Sequence, residues 1–267
     1  MSEGKIAAQL FTIRDHVTNR TGFADSLAKL SDIGYKYVQF AAVGAVDGDD
    51  ADTSPAEARK ILDDNGLKAF SAHRLWGLLK DQTSSEIDYL HALGASYVTV
   101  PIIRDVYDPN LTASYSRFID DAAEVIEKLS ESGIQLGFHN HSWEFMQDAT
   151  GRNGMDVLID DASSQLLIEL DVYWASVTGA DPVELLARAS GRTPCLHVKD
   201  SQVIADSDQR FPQPVFAPVG EGLLNWNEII TAGKNAGVEY WIVEQDICRR
   251  DPFDCLRSSF QFLSERV

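Results

Sequence analysis

The sequence has few cysteines and no long apolar run, and each shortage argues against a class of protein. Cys195, Cys248 and Cys255 are odd in number and show no CxxC spacing, so we expect core thiols rather than a disulfide framework or a thiolate zinc site. No stretch approaches the roughly 18 apolar residues that a membrane helix needs, and the first residues lack the pattern of a secretory signal. We therefore expect a cytoplasmic protein without a membrane partner.

Basic residues are also scarce. The chain has 23 lysines and arginines against 41 aspartates and glutamates, which gives a formal net charge of −18. Such a charge repels the phosphates of nucleic acids, so we expect no nucleic-acid partner. A small ligand fits better, particularly if a bound cation offsets the negative charge locally. With 267 residues and 44% hydrophobic content, the chain can bury a sizeable core.

Short apolar runs rich in β-branched and aromatic residues repeat along the chain and predict eight strands. Amphipathic segments lie between them, and Ser54, Asp181 and Asn225 each stand three residues before a glutamate, as helix caps do. Glycines such as Gly237 mark the helix ends. This alternation predicts a single (β/α)8 TIM barrel over residues 1–267, with a doubly wound open sheet as the alternative. The predicted strands cover residues 5–10, 36–41, 68–73, 96–101, 134–139, 166–171, 194–199 and 239–245.

The carboxyl ends of these strands are unusually polar. Barrel enzymes carry their chemistry at that end, and four of the six histidines lie there. Taken singly, His73 could be a hydrogen-bonded structural residue, Asp171 could cap the following turn, and Glu244 could pair with an arginine. The polar residues at the strand ends are Gln9, Gln39, His73, the segment from His139 to Glu144, Asp171, His197 with Lys199 and Asp200, and Glu244 with Gln245 and Asp246.

Together these side chains predict a metal site. Two or three carboxylates and an imidazole that converge on a barrel mouth repel one another unless a positive charge lies between them, and a divalent ion supplies that charge. Oxygen ligands with one imidazole suit Mn, Mg, Co or Zn, and we expect one such ion as the cofactor. Trp174, three residues after Asp171, is more typical of packing, but it could form an apolar wall for a ring-shaped substrate.

The motifs HNHxxEF, LD, HxKD, GEG and VEQD follow one another along the chain. In this order they resemble the sugar phosphate isomerase/epimerase family of the xylose isomerase-like TIM barrel superfamily, and the similarity runs over nearly the whole chain. The combination is specific for the superfamily but not for a substrate. The segments that carry the resemblance are AAQLFTIRD (7–15), LGFHNHSWEF (136–145), IELDVYWASVTGADPVELL (168–186), CLHVKD (195–200) and VGEGLLNWNEIITAGKNAGVEYWIVEQD (219–246).

The resemblance implies roles for individual residues. In several relatives one metal ligand is a glutamate at the end of the fifth strand, a position that His139 occupies here. We expect Glu144 to reach the ion from the following loop, and His139 is the alternative ligand. Gln39 also stands where many relatives carry glutamate. The implied metal ligands are Glu144, Asp171, His197 and Glu244.

The expected chemistry is proton transfer beside a chelated carbonyl group. Chelation of adjacent carbonyl and hydroxyl oxygens by a divalent ion acidifies the carbon-bound proton and stabilises an enediolate, and a base then moves the proton. Relatives of this group include isomerases, epimerases and dehydratases that act on sugars and inositol ketones. The expected bases are His139, His141 and Glu244, with Lys199 as electrostatic support; the expected substrate contacts are Gln9, His73, Trp174 and Lys199.

We therefore expect a sugar isomerase or epimerase acting on a ketose or related polyol ketone. The alternatives are a dehydratase or lyase on a keto-sugar, 3-keto-glycoside or inosose, an endonuclease-type phosphodiesterase, and a non-catalytic sugar-binding barrel. The segment 201–225 is either a loop that closes over the substrate or a static surface excursion. The expected partner is a small sugar or polyol, and the oligomeric state, including a homo-oligomer, stays open.

Overall fold

The computed structural model describes residues 4–204 and 213–267. Eight parallel strands close a barrel in the order β1-β10-β7-β6-β5-β4-β3-β2, and β8 and β9 form a separate antiparallel pair. The closed barrel confirms the predicted (β/α)8 fold and rules out the open doubly wound sheet. The strands are β1 Lys5–Gln9, β2 Tyr37–Phe40, β3 Lys68–His73, β4 Tyr97–Val100, β5 Gln135–His139, β6 Leu167–Asp171, β7 Cys195–Val198, β8 Asp200–Ile204, β9 Gln213–Ala217 and β10 Tyr240–Val243.

Helices follow the barrel strands and begin near the predicted caps. Two 3-10 helices, Leu10–His16 and Trp143–Phe145, accompany them. In the described part of the chain, no helix is long and apolar enough to cross a membrane. The α-helices are α1 Arg20–Ile33, α2 Gly44–Asp47, α3 Pro55–Asp64, α4 Trp76–Asp81, α5 Thr83–Leu93, α6 Thr112–Glu131, α7 Gly154–Asp160, α8 Val172–Val177, α9 Pro182–Arg188, α10 Trp226–Ala236 and α11 Pro252–Ser264.

The predicted caps are formed in two of three cases. Ser54 makes a full capping box with Glu57 at the start of α3, and Asp181 accepts a hydrogen bond from the first turn of α9. Helix α10 also begins where predicted, but the side chain of Asn225 makes no capping hydrogen bond. Its backbone has ψ near 80°, whereas Ser54 has the extended ψ of 157° that turns a cap side chain towards the helix. Gly237 ends α10 in the left-handed conformation, at φ 91°.

The main apolar core lies between the barrel and the helices. Helix α6 shows how the pattern builds it, because Ala122, Ile126 and Leu129 are buried on the predicted face and Ile119 is partly buried beside them. Burial of each large aliphatic side chain stabilises the fold by about 1.5–3 kcal/mol.

A second apolar cluster fills the amino-terminal end of the barrel. The rings of Phe70 and Tyr240 stack with their centroids 3.9 Å apart. They come from β3 and β10, which are not neighbours in the barrel, so the rings meet inside it. Tyr37 and Tyr97 pack edge-on against Tyr240. We call these four residues the aromatic floor, and period-two alternation along the strands places polar residues above it.

Candidate metal centre

Four side chains of ligand type meet at the carboxyl ends of four strands. His139 ends β5, Asp171 ends β6, His197 lies in β7, and Glu244 follows β10. One nitrogen or carboxylate oxygen from each lies within 4.8 Å of those from the other three, and all four side chains are buried. We call these four residues the ligand cluster. It unites three of the four residues that the resemblance implied as ligands.

Two buried atoms of the ligand cluster, Nδ1 of His139 and Oδ2 of Asp171, have no hydrogen-bond partner among residues 4–204 and 213–267. Lys199 Nζ lies 3.1 Å from Asp171 Oδ2, which is close enough for an ion pair but is not aligned as a hydrogen bond. Buried polar atoms are normally paired, and a cation between Asp171 Oδ2 and His139 Nε2, which lie 3.9 Å apart, would satisfy the aspartate oxygen. Nδ1 of His139 instead faces Glu169 Oε1 at 3.6 Å. Two carboxylates and two imidazoles therefore fit a divalent ion.

Glu144, the expected fourth ligand, lies outside the ligand cluster. Residues 143–145 form a 3-10 turn that directs its side chain to α6. Oε1 accepts a hydrogen bond from the Tyr115 hydroxyl at 3.1 Å, and Oε2 accepts one from the backbone N–H of His141 at 2.7 Å. Burial raises the pKa of Glu144 to about 7. His139 stands in the ligand cluster instead.

The carboxylate of Asp171 contacts both the start of α8 and the ligand cluster. Its Oδ1 accepts the backbone N–H of Trp174 at 3.0 Å and caps α8, while Oδ2 faces the ligand cluster. Asn140 fixes the end of the strand, because its side chain accepts the N–H of Asp171 at 2.9 Å and donates to the carbonyl of Asp171 at 3.3 Å. Burial raises the pKa of Asp171.

Lys199 lies among three carboxylates at the barrel mouth. Its Nζ is 2.7 Å from Glu244 Oε2 and 2.8 Å from Asp246 Oδ1, in addition to its contact with Asp171. Burial disfavours the ammonium, but the carboxylates raise the pKa of Lys199 well above its usual range. Burial also raises the pKa of Asp246 to about 6. Sequence reasoning placed Asp246 at a strand end but gave it no role.

Sequence reasoning missed one buried carboxylate below the ligand cluster. Glu169 lies in β6, two residues before Asp171, and is 2% exposed. Its Oε1 is 2.7 Å from His73 Nε2 and 3.0 Å from His197 Nε2. Burial disfavours its charge, but the two histidines hold the pKa of Glu169 well below its usual range. Against the effect of burial, Glu169 and Glu244 raise the pKa of His197 to about 9.

A signal for Glu169 was present in the sequence. It is the one charged residue within the apolar run LLIEL, and period-two alternation puts it on the same face as Asp171.

Neutral imidazoles form the β5 side of the mouth. Burial lowers the pKa of His139 well below its usual range and lowers the pKa of His141 to about 3. The two rings pack edge to face with centroids 4.8 Å apart, and His141 also stacks on Trp143 at 5.0 Å. Nδ1 of His141 has no hydrogen-bond partner in the described ranges.

A cavity of about 350 Å³ borders the ligand cluster. This volume lies at the lower end of the range for small-molecule sites, which is about 300–1,000 Å³. Of the expected substrate contacts, His73 and Lys199 line the cavity. Gln9 lies lower and donates from Nε2 to Gln39 Oε1 at 2.7 Å, while Trp174 packs against His141 with ring centroids 5.7 Å apart. Further lining residues include Phe11, Leu75, Pro101, His139, His141 and Glu244.

The segment after Lys199 contains the antiparallel pair β8 and β9. Phe216 of β9 stacks on Tyr173 at 4.2 Å, and its ring lies 6.0 Å from Lys199 Nζ, so this pair lies beside the mouth. Residues 205–212, part of the segment that we expected either to close over the substrate or to stay static, lie outside the described residues.

Asp200 anchors the base of this segment and is fully buried. Its carboxylate accepts the backbone N–H groups of Gly220, Gly222 and Leu224 and the indole N–H of Trp226. A Cβ at Gly222 would collide with this carboxylate, which explains the second glycine of the GEG motif.

Residues 27–266 match the family described as xylose isomerase-like TIM barrel. The chain belongs to this family. The resemblance of its motifs to this superfamily is thereby confirmed. No curated protein matches the sequence.

Solved structures with this fold have several activities in their names. A sugar phosphate isomerase/epimerase from Parabacteroides distasonis is 20% identical, with a TM-score of 0.78 over 98% of both chains. D-allulose 3-epimerase from Methylomonas sp., in complex with D-allulose, is 14% identical, with a TM-score of 0.70 over 100% of this chain and 98% of the other. An AP endonuclease of family 2 from Brucella melitensis is 16% identical, with a TM-score of 0.67 over 99% of this chain and 100% of the other. At such identities the likeness shows the fold alone, so the activity must be argued from the site.

Proposed function

We propose that this xylose isomerase-like barrel is a divalent-metal-dependent isomerase or epimerase that acts on a ketose or a related polyol ketone through an enediolate. The observation that carries this proposal is the convergence of the ligand cluster from four strands beside a cavity of about 350 Å³. The structural likeness to a protein named sugar phosphate isomerase/epimerase and to a D-allulose 3-epimerase supports it.

The proposed ligands are the four members of the ligand cluster, with His139 in place of the expected Glu144. Their two imidazoles favour Mn, Co or Zn over Mg, which prefers oxygen ligands. An ion held there would polarise adjacent carbonyl and hydroxyl oxygens and stabilise the enediolate.

The protein supplies the groups that hold and move the proton. Lys199 lines the cavity with a positive charge fixed by three carboxylates, and it stabilises negative charge that develops on a substrate oxygen. Glu244 enters the cavity beside β10, and His141 enters it after β5. Strands β7 and β6 separate β10 from β5, so proton-transfer groups stand on two walls of one cavity. Isomerisation and epimerisation both require the proton to be taken from one position and returned to another.

The chain's charge of −18 does not favour a phosphodiesterase that holds DNA. Elimination from a keto-sugar, 3-keto-glycoside or inosose would use the same side chains, because it begins with the same proton abstraction. The fate of the proton and of the β-substituent distinguishes the two reactions.

The test is incubation of the Mn²⁺-loaded protein in deuterated water with ketoses, 3-keto-glycosides and inosose. Mass spectrometry and NMR would follow deuterium and products. Deuterium at the carbon beside the carbonyl, together with an isomer or epimer, supports the proposal. Loss of water or an alcohol assigns the lyase alternative, and no exchange with any substrate contradicts both. Asp171→Asn is the inactive control because it removes a ligand oxygen charge without changing the shape of the side chain.

A further inference from the structure

The side-chain amide of Gln39 has a fixed orientation below the ligand cluster. Its Nε2 donates to Glu169 Oε2 at 2.7 Å and to Ser71 Oγ at 3.0 Å. An ionised carboxylate only accepts hydrogen bonds, so the nitrogen of the amide, not its oxygen, must face Glu169. The oxygen therefore faces the other way, where it accepts from Gln9 Nε2 at 2.7 Å.

This orientation makes Nε2 of His197 a hydrogen-bond donor. Nε2 of His197 lies 2.7 Å from Gln39 Oε1 and 3.0 Å from Glu169 Oε1. Both neighbours are acceptors, so Nε2 must be the donor. Nδ1 lies 2.9 Å from Glu244 Oε2, which is also an acceptor, so Nδ1 donates as well in the metal-free protein. Only the hydrogen on Nδ1 faces the ligand cluster, where a divalent ion would take its place.

The carboxylate of Glu169 is buried and surrounded by donors. Besides Gln39 and His197, it lies 2.7 Å from His73 Nε2 and accepts the Thr99 hydroxyl at 3.1 Å. Its neighbours come from several strands, so the network spans the barrel below the ligand cluster. A carboxylate with this many donors is held in one position.

We propose that Glu169, acting directly and through Gln39, is a positioning residue that keeps the hydrogen of His197 on Nε2 and presents Nδ1 to the divalent ion. This inference rests on the metal site of the proposed function. Carboxylate groups that hold the outer nitrogen of a metal-bound histidine commonly change metal affinity by about 10- to 100-fold.

Glu169 could instead bind a cation itself. Ligand-type atoms of His73, His139, Glu169 and His197 also lie within 4.8 Å of one another. An ion there would compete for Nε2 of His197, which must then lose the hydrogen that it donates to Gln39. The hydrogen bonds thus favour positioning over ligation, and the two roles predict different metal stoichiometries.

Metal affinity tests the proposal with a matched pair of variants. Equilibrium dialysis of Mn²⁺ against chelator-treated protein should show one ion per chain and a Kd raised about 10- to 100-fold by Glu169→Gln. Addition of Gln39→Glu to that variant should recover part of the affinity, because it returns a carboxylate to the side of His197 Nε2. Glu144→Gln removes another buried carboxylate, outside the ligand cluster, and should leave the Kd within about threefold of wild type.

NMR of the wild-type protein, labelled with ¹⁵N-histidine and loaded with Zn²⁺, tests the same proposal without depending on the folding of a variant. His197 should carry hydrogen on Nε2 and the metal on Nδ1, and through-bond correlations from the assigned backbone identify its ring signals. Metal on Nε2, an unchanged Mn²⁺ Kd in folded Glu169→Gln, or a second Mn²⁺ ion lost in that variant overturns the inference. Failure of the wild-type protein to bind Mn²⁺ or Zn²⁺ overturns the proposed function as well, so the two failures are distinguishable.

Discussion

The ammonium of Lys199 lies 2.7 Å from Glu244 Oε2, so a lysine forms an ion pair with a member of the ligand cluster. Lys199→Met leaves Asp171, Glu244 and Asp246 close together without that charge. We expect the free energy of unfolding of chelator-treated protein to fall by about 3–5 kcal/mol, the usual result of breaking a buried ion pair. Urea unfolding with and without Mn²⁺ measures this, and the ion should stabilise the variant more than wild type.

Lys60→Met is the control for that experiment, because Lys60 pairs only with Asp64 on the exposed surface of α3. Its effect should stay within about 1 kcal/mol. Equal stability of wild type and Lys199→Met would show that Lys199 is not needed to offset the repulsion among Asp171, Glu244 and Asp246.

The position of His139 in the ligand cluster predicts that it binds the metal ion, although a carboxylate such as Glu144 would neutralise the charge of the ion better than an imidazole does. His139→Ala should weaken Mn²⁺ binding by at least about 10- to 100-fold, whereas Glu144→Gln should retain wild-type affinity. Isothermal titration calorimetry of the two variants decides between the residues. The reverse ranking would return Glu144 to the ligand set.

The buried carboxyl of Glu144 predicts a pH dependence of stability. Its pKa is about 7 in the folded protein, above the usual value of 4.5. The folded state therefore binds more protons than the unfolded state between these values, and the stability present below pH 4.5 is lost as the pH rises through 7. Glu144→Gln stays neutral and should avoid this loss, which amounts to about 3 kcal/mol.

Chemical unfolding at pH 5 and pH 8 measures the difference. Wild type should lose stability relative to Glu144→Gln over this interval. Glu124→Gln, on the exposed surface of α6, is the control and should follow the wild-type profile. Parallel profiles for wild type and Glu144→Gln would refute the raised pKa.

Asp200 is expected to matter for stability rather than for chemistry. Asp200→Asn replaces an accepting oxygen with an N–H₂ group that faces backbone and indole N–H donors. We expect a loss of about 3 kcal/mol in unfolding free energy, with little change in Mn²⁺ affinity. Asp25→Asn, on the exposed face of α1, should change stability by less than about 0.5 kcal/mol. A stable Asp200→Asn variant that loses metal would instead connect Asp200 to the ligand cluster.

The net charge of −18 predicts that double-stranded DNA does not bind at physiological salt. An electrophoretic mobility assay with an abasic-site duplex at about 0.15 M salt checks this prediction. Salt-sensitive retention of the duplex would favour the phosphodiesterase alternative.

The sequence predicted most of the fold because its signals are local. The strand at residues 68–73 has the predicted bounds, and β5 begins one residue later than predicted. Residues at the strand ends were also predictable as a group, because a parallel barrel brings all its carboxyl ends to one mouth. Their assignment to roles was less predictable, since it depends on distances between strands.

Glu144 and Glu169 show two reasons why the roles of individual residues were not predictable from the sequence. Glu144 follows β5 by five residues, but a 3-10 turn carries its carboxyl towards Tyr115, and spacing along the chain does not encode that direction. Glu169 was passed over because it lies within an apolar strand, where a charge is rare. Its partners His73 and Gln39 belong to β3 and β2 and meet it only across the closed barrel.

The aromatic floor blocks the amino-terminal end of the barrel, so the interior is reached from the mouth at the carboxyl ends of the strands. Phe70 and Tyr240 occupy its interior at the amino-terminal end, so a ligand that enters at the mouth has to leave by the same route. Product and incoming substrate then exclude each other, and inhibition by product should be competitive with substrate. The time that product spends in the mouth consequently sets an upper limit on turnover, however fast the proton moves.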